Sequence, residues 1–349
     1  MLARALEELD PELWACGRLC PPERAVMLTA TSKRVRALLA WMNLRLPASV
    51  SVHRAIGPEA IGLPRLRAWC RVVALDMSGC GLGDEGAVAL PVALEMCTSL
   101  TSLNLEHNGI GATGAASVAR VLRHSPSLTR LDLHDNVLGP AGATSVGNAL
   151  RQCPLLAFLD LGTNGFGESG AASLPAGTAL TTLNLENNRI GPTGAASVAR
   201  VLKHSPLLTR LDLYDNVLGE AGATSVAGAL SQCPSLTSLF LGSNGLGDRG
   251  TARVAAALAQ CPSLTALNLF HNRIGDDGAE SLAGAIQQCS SLTLLSLRGN
   301  EIGGAGADYL IRGLQSCPGR FVLNVSENGL SHADTRRLEQ CTSLRALIL

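Results

Sequence analysis

The residues of this chain best suited to chemistry are its histidines, aspartates and cysteines. His107, His134 and Asp135 fall close together in successive copies of a recurring motif, which invites a metal ligand set or a general base. Spacing fixes no third ligand, however, and no Ser or Cys nucleophile stands beside them, so solvated polar strand ends account for them better. The chain also holds eleven cysteines. Cys97, Cys153, Cys233, Cys261, Cys289, Cys317 and Cys341 share one position in the motif, Ser125 and Ser205 take it in two copies, and zinc-type Cys-x-x-Cys or Cys/His spacing is absent. They read as a column of small buried side chains and imply a reducing compartment. With no Gly-Lys-Ser/Thr phosphate loop either, no catalytic residue, metal or cofactor is expected.

The elements that would carry these residues follow a period. Asparagine recurs at Asn108, Asn136, Asn164, Asn188, Asn216, Asn244, Asn272, Asn300 and Asn328, in steps of 28 residues except for 24 between Asn164 and Asn188. It sits in the phrase Leu-x-Leu-x-x-Asn-x-Ile/Leu-Gly-x-x-Gly-Ala. A fixed period of this size means one strand-turn-helix unit stacked many times. Leu103 and Leu105 alternate with polar residues, as a half-buried strand requires. Asn108 ends that strand, where its carboxamide can bond turn backbone in its own repeat and the next. Gly111 and Gly114 are expected to permit the tight turn, and Ala115, Val118 and Leu122 follow at helical spacing. Endings such as Cys261-Pro262-Ser263-Leu264 stop the helix. Residues 101–150 match 181–230 at 40 of 50 positions, so a three-repeat block has been duplicated. Pro175 and Gly177 cut the helix of the short repeat to little more than a turn, which predicts a notch on the outer side.

The pattern resembles the leucine-rich repeat, specifically the ribonuclease-inhibitor-like subfamily with about 28 residues per repeat. The resemblance implies an α/β solenoid, a horseshoe with parallel strands on its concave face and helices on its convex face. It covers 66–349 as about ten repeats and a final strand begun by Leu344, Leu347 and Leu349, with Cys80 in place of Asn in the first. Ahead of it, Leu9-Asp10-Pro11-Glu12-Leu13, Leu19-Cys20-Pro21-Pro22-Glu23-Arg24 and Leu28 to Leu39 read as short helices with Pro-led starts over 1–46. A connecting cap segment, 47–65, joins them to the repeats. This order is similar to the F-box, a helical module that docks on the Skp1 subunit of cullin-type ubiquitin ligases. The resemblance implies Leu9, Pro11, Leu13, Leu19 and Pro22 as the docking surface. The alternative is a helical cap over the open end of the solenoid core.

Formal net charge is zero, with 28 basic and 28 acidic residues, so no general attraction to nucleic acid or membrane is expected. Glu7, Glu8 and Asp10 interrupt the stretch where a signal peptide needs its apolar core, and no run of 18 apolar residues occurs. A soluble, monomeric, cytoplasmic or nuclear protein is the expectation. The strand side is distinctive, taken as the residues six, four, two and one before each Asn. It collects four of the chain's seven Phe and Tyr residues, Phe158, Tyr214, Phe240 and Phe270. Nine acids fall there, among them Asp132, Asp135, Asp160, Asp212 and Asp215, against the three bases Arg130, Arg210 and Arg298. Exposed aromatics in a charged concavity anchor protein interfaces, and acids around them select a basic partner. A non-enzymatic scaffold that captures the basic segment of a protein partner is therefore expected. The F-box resemblance would make it a substrate receptor of a cullin-type ubiquitin ligase. A Ran-type GTPase activator, built from similar 28-residue repeats, is the alternative.

Overall fold

The computed structural model of the chain describes residues 26–29 and 72–349, apart from 95–96, 177–178, 316–320 and 342. Among them, twelve strands form one parallel sheet in sequence order. They are β1 (Val26–Thr29), β2 (Val72–Asp76), β3 (Ser102–Asn104), β4 (Arg130–Asp132), β5 (Phe158–Asp160), β6 (Thr182–Asn184), β7 (Arg210–Asp212), β8 (Ser238–Phe240), β9 (Ala266–Asn268), β10 (Leu294–Ser296), β11 (Phe321–Asn324) and β12 (Leu344–Ile348). From β2 onward each crossover carries a helix: α1 (Gly83–Leu94), α2 (Ala112–Arg123), α3 (Gly139–Leu150), α4 (Gly167–Ala171), α5 (Gly191–Leu202), α6 (Gly219–Leu230), α7 (Gly247–Leu258), α8 (Asp276–Gln288), α9 (Gly304–Gln315) and α10 (His332–Glu339). Strands pack about 4.8 Å apart and helices 8–10 Å apart, so the helical layer is the longer one and the sheet lines the inner side.

The central leucine of each strand faces its counterpart in the next, Leu103 against Leu131 and Leu131 against Leu159. These leucines are fully buried, each stabilising the fold by about 1.5–3 kcal/mol. Leu159 pairs with Leu183 although only 24 residues separate them, so the missing four residues leave the sheet register intact. The outer layer absorbs the loss. Helix α4 is five residues long, as the sequence predicts, and Pro175 follows it. Phe166 replaces the Ile or Leu of other repeats and is 1 % exposed, filling volume that the shortened helix vacates. The neighbours close in as well. A Cβ on Gly147 of α3 would meet the Ser173 carbonyl oxygen at 2.6 Å, and Arg200 Nη2 donates to the Ala172 carbonyl at 2.9 Å.

The asparagine column is buried from Asn108 to Asn300 and joins repeats, but toward the preceding one and not the next. Asn216 Nδ2 donates to the carbonyls of Leu213 and Tyr214 in its own repeat and of Leu185 in the repeat before, at 2.8–3.1 Å. Its Oδ1 accepts from Asn188 N at 3.0 Å and Ile190 N at 3.3 Å. A carboxamide alone offers donors and an acceptor on one flat group, which is why no other residue serves from Asn108 to Asn328.

The turn glycines differ from expectation. Gly111 is extended at φ −96° and Gly114 lies inside α2, where a Cβ would stand 2.7 Å from both Asp84 Oδ1 and Ile110 Cγ2. Close approach, and not turn geometry, requires Gly114. Asp84 Oδ1 accepts from Gly111 N at 2.7 Å and Gly114 N at 2.8 Å, so the carboxylate of one repeat caps the helix of the next. Asp248 and Asp276 cap α8 and α9 in the same way. Where that position holds Ala112, Pro140, Glu168, Pro192 or Glu220, the following helix instead starts from a left-handed glycine, such as Gly139 at φ +61°.

At the N-terminal side, Val26–Thr29 was expected near the start of a helix and is instead β1, parallel to β2. Four apolar or β-branched residues carry no period that separates strand from buried helix, and an open sheet edge favours the strand. At the other side β12 pairs with β11, Leu323 against Leu347, as the leucine spacing predicts.

Candidate functional site

The residues first considered for chemistry do not assemble into a reactive centre. His107 Nδ1 stands 2.6 Å from Asp135 Oδ2 as an exposed pair at the strand ends, while His134 turns to Asp160 and Glu186, at 3.4 and 3.8 Å. Among the described residues, no group of three His, Cys, Asp or Glu is placed to hold a metal ion. The cysteine column is buried from Cys97 to Cys289 and half-buried at Cys341, and Cys153 and Cys233 point their thiols at the Leu122 and Leu202 carbonyls of the preceding repeat, at 3.5 and 3.4 Å. Burial pushes the thiols of Cys153, Cys233 and Cys261 up to about 11, which withholds the thiolate that a nucleophile needs. Ser125 and Ser205 satisfy the same position by bonding the Val121 and Val201 carbonyls. Cys317 lies outside the described residues.

The strand face carries the remaining candidates, and it divides into two zones. In the first, β4 sets Arg130 beside Phe158 of β5, with the guanidinium carbon 3.4 Å from the ring centre. Arg130 also reaches Asp132 at 3.2 Å. Arg210 repeats this on β7, 4.1 Å over Phe240 and 3.3 Å from Asp212. The two phenylalanines are thus covered by the chain's own cations, a contact worth about 0.5–1 kcal/mol at such sites. Asp132 and Asp212 are each 6 % exposed. Burial, above all, raises both carboxyls, with Asp160 adding to each and Glu186 to Asp212, which reaches about 6. Asp160 accepts from Gly162 N at 3.0 Å and Asn184 Nδ2 at 3.1 Å, and the His134 ring stands between it and Glu186.

In the second zone, Tyr214 and Phe270 lean toward each other across Gly242, their ring centres 6.3 Å apart and inclined by 28°. His271 stands edge-on to Phe270 at 4.1 Å. The two rings border a recess of about 580 Å³ that extends over Arg273 and Glu301. Arg298, 5.4 Å from Phe270, is held by Glu327 at 2.5 Å, and that bond keeps the Glu327 carboxyl below its ordinary range.

Asp135 and Asp215 stand at the end of their strands, as expected from the repeat. Each directly precedes an asparagine, where every repeat from His107 to Glu327 takes a left-handed backbone. Asp, Asn, His and Gly tolerate that conformation best, which is a local reason for their presence. Sequence reasoning missed the neighbours Asn184, His271, Arg273 and Glu301. Their side chains meet only after the strands are set side by side, and no spacing within one repeat reports that. The residues implied as Skp1 contacts, Leu9, Pro11, Leu13, Leu19 and Pro22, lie outside the described residues.

No helix among the described residues is long and apolar enough to cross a membrane. No curated protein matches the sequence significantly. Among solved structures, an internalin (inlF) from Listeria monocytogenes is similar at 16% identity and TM-score 0.41, covering 91% of this chain and 95% of its own. The leiomodin-1 actin-binding site 2 is similar at 16% identity and TM-score 0.36, over 43% of this chain and 87% of its own. Neither likeness is close enough to bear on function. The family model described as Leucine Rich repeat matches residues 72–90, 97–119, 124–147, 178–199, 204–227, 232–252, 260–283 and 288–310, more than half of the chain. These segments are the strand, asparagine turn and helix units of the sheet just described, and the chain belongs to the leucine-rich repeat family.

Proposed function

We propose that this chain is a non-enzymatic interaction scaffold whose strand face takes a basic segment of a protein partner. One observation carries the reading: the arginines of this face are already engaged, Arg130 by Asp132, Arg210 by Asp212 and Arg298 by Glu327. Asp160, Glu186 and Asp215 have no arginine or lysine beside them among the described residues, while the His134 ring approaches Asp160 and Glu186 at 3.4 and 3.8 Å. Uncompensated acids beside exposed aromatic rings attract and orient a cationic partner. Affinity capture with the wild type, with Asp160, Glu186 and Asp215 changed to Lys, and with Tyr214 and Phe270 changed to Ala tests the reading. Partners held by the wild type should be lost from both variants and released by salt. An identical set of partners on all three proteins would refute it.

The F-box-like order of residues 9–39 extends this reading to a substrate receptor of a cullin-type ubiquitin ligase. Removing residues 1–46 should then strip Skp1 from the captured set. The Ran-type activator is tested by single-turnover GTP hydrolysis by Ran, and no acceleration at micromolar protein eliminates it.

A further inference from the structure

The duplicated block leaves two glycines on the strand face, Gly162 and Gly242, each two residues before the asparagine of its repeat. Other repeats place a side chain there, and here the flanking residues lean into the gap. A Cβ on Gly162 would stand 2.6 Å from His134 Nδ1 and 2.9 Å from Glu186 Cγ. A Cβ on Gly242 would stand 3.0 Å from the Tyr214 ring and 3.4 Å from Phe270 Cβ. The two copies share the glycine and differ in what surrounds it: polar and acidic groups at the first, aromatic rings at the second. Asp160 and Glu186 bring two carboxylates to the first notch, where the His134 ring lies 3.4 and 3.8 Å from them, and draw a cation to it by charge. The Tyr214 and Phe270 rings make the second a resting place for one bulky apolar side chain, beside a recess of about 580 Å³ whose further lining, Ser243, His271, Arg273 and Glu301, is polar.

Their separation restricts what can fill both. Gly162 follows β5 and Gly242 follows β8, three strand steps apart in the sheet. At about 4.8 Å per step the notches lie about 14 Å apart. An extended peptide advances about 3.4 Å per residue and returns to the same face at every second residue, so residues i and i+4 also lie about 14 Å apart on one side.

We infer that the strand face reads an extended partner segment with Arg or Lys at one position and an aromatic or large aliphatic residue four positions away. The cation lies above Gly162 against Asp160 and Glu186, displacing the His134 ring that stands between them, and the apolar side chain rests against Tyr214 and Phe270. The inference rests on the scaffold reading above and adds the partner's chemistry and spacing.

Selection of a phage-displayed library of random nine-residue peptides on the intact chain tests it, followed by fluorescence polarisation with the best peptide. The expected result is joint enrichment of a basic and a bulky apolar residue four positions apart. D160N with E186Q should weaken that peptide roughly tenfold, yet leave a version with norleucine at the basic position unchanged. Y214A with F270A should weaken both versions roughly tenfold. All four changes are on the surface and leave the core leucines in place, and unaltered circular dichroism checks this. Peptides that need these residues but share a different spacing overturn the two-notch geometry and leave the scaffold reading standing. Peptides indifferent to both double variants overturn the two together. No enrichment over a bare support overturns the inference, with the scaffold reading then judged by the capture assay.

Discussion

Asp212 is a carboxylate that the fold keeps at a loss, and replacing it with Asn measures that loss. Burial, supplemented by Glu186 and Asp160, lifts its carboxyl from an ordinary 3.8 to about 6 against the opposing pull of the Tyr214 N–H and Arg210. Ionising Asp212 therefore costs about 3 kcal/mol more in the folded than in the unfolded chain. Because the folded value is the higher one, this group's favourable contribution is complete below the unfolded value and disappears as pH rises through about 6. Asp212→Asn stays neutral throughout. It keeps an oxygen for the Tyr214 N–H, 3.1 Å away, and gives up the Arg210 pair, whose cation is half exposed and contributes under about 1 kcal/mol. The variant should exceed the wild type by about 1–3 kcal/mol at pH 8 and match it within about 0.5 kcal/mol at pH 4. Urea unfolding of both proteins across that range supplies the difference, in which the other titrating groups cancel. A variant less stable than the wild type at pH 8, or a difference that ignores pH, would refute the reasoning. A confirmed loss would mean that a buried charge is retained against stability on the face proposed to bind cations.

Four further outcomes follow from other positions. Asn216→Ala strands the Asn188 and Ile190 amides and takes one of two donors from the carbonyls of Leu185, Leu213 and Tyr214, and urea unfolding should register a loss of about 2 kcal/mol or more. Asp248→Ala removes the cap of α8 and should cost about 1–2 kcal/mol by the same measurement, whereas Glu220→Ala, which caps nothing, should change stability by less than about 0.5 kcal/mol. Val217 is a β-branched residue at φ +56° with 64 % of its surface exposed, so Val217→Gly should raise the midpoint of thermal unfolding, by about 1 kcal/mol in stability. Cys153, Cys233 and Cys261 should resist iodoacetamide at pH 8 in the folded chain and react once urea is added, as peptide mapping would report.

Most of the fold was legible because its demands are chemical and repeat. The asparagine position needs donors and an acceptor on one planar group, and the strand centres need an apolar side chain of constant size and shape, so one residue type fills each column. The short repeat was equally legible, since Pro175 ends α4 on sight. The Phe166 substitution that fills the vacated space was not, because volume is shared between repeats and has no position of its own. The two ways of starting a helix escaped for a similar reason. Whether Gly111 is extended or Gly139 left-handed depends on residue 84 or 112 in the repeat before. At the site, the net acidity of the face and its four aromatics could be read by counting. That Arg130 and Arg210 would lie over Phe158 and Phe240 could not, since each guanidinium had two claimants, a carboxylate two residues away on its own strand and a ring on the next. The structure gives it both.

Helix α4 also gives the molecule a preferred place to yield under load. Repeats hold only their neighbours, so the solenoid transmits tension as springs in series and the softest junction extends first. A helix of five residues between helices of twelve offers its neighbours less than half the usual length of contact. Stretching along the solenoid should therefore part the stack between β5 and β6, leaving a folded stack on either side. Asp160 stands on one side of that seam and Glu186 on the other. A pull on the chain would separate the two carboxylates before it disturbed Tyr214 and Phe270, so the cation proposed to bind there would be released before the proposed aromatic contact.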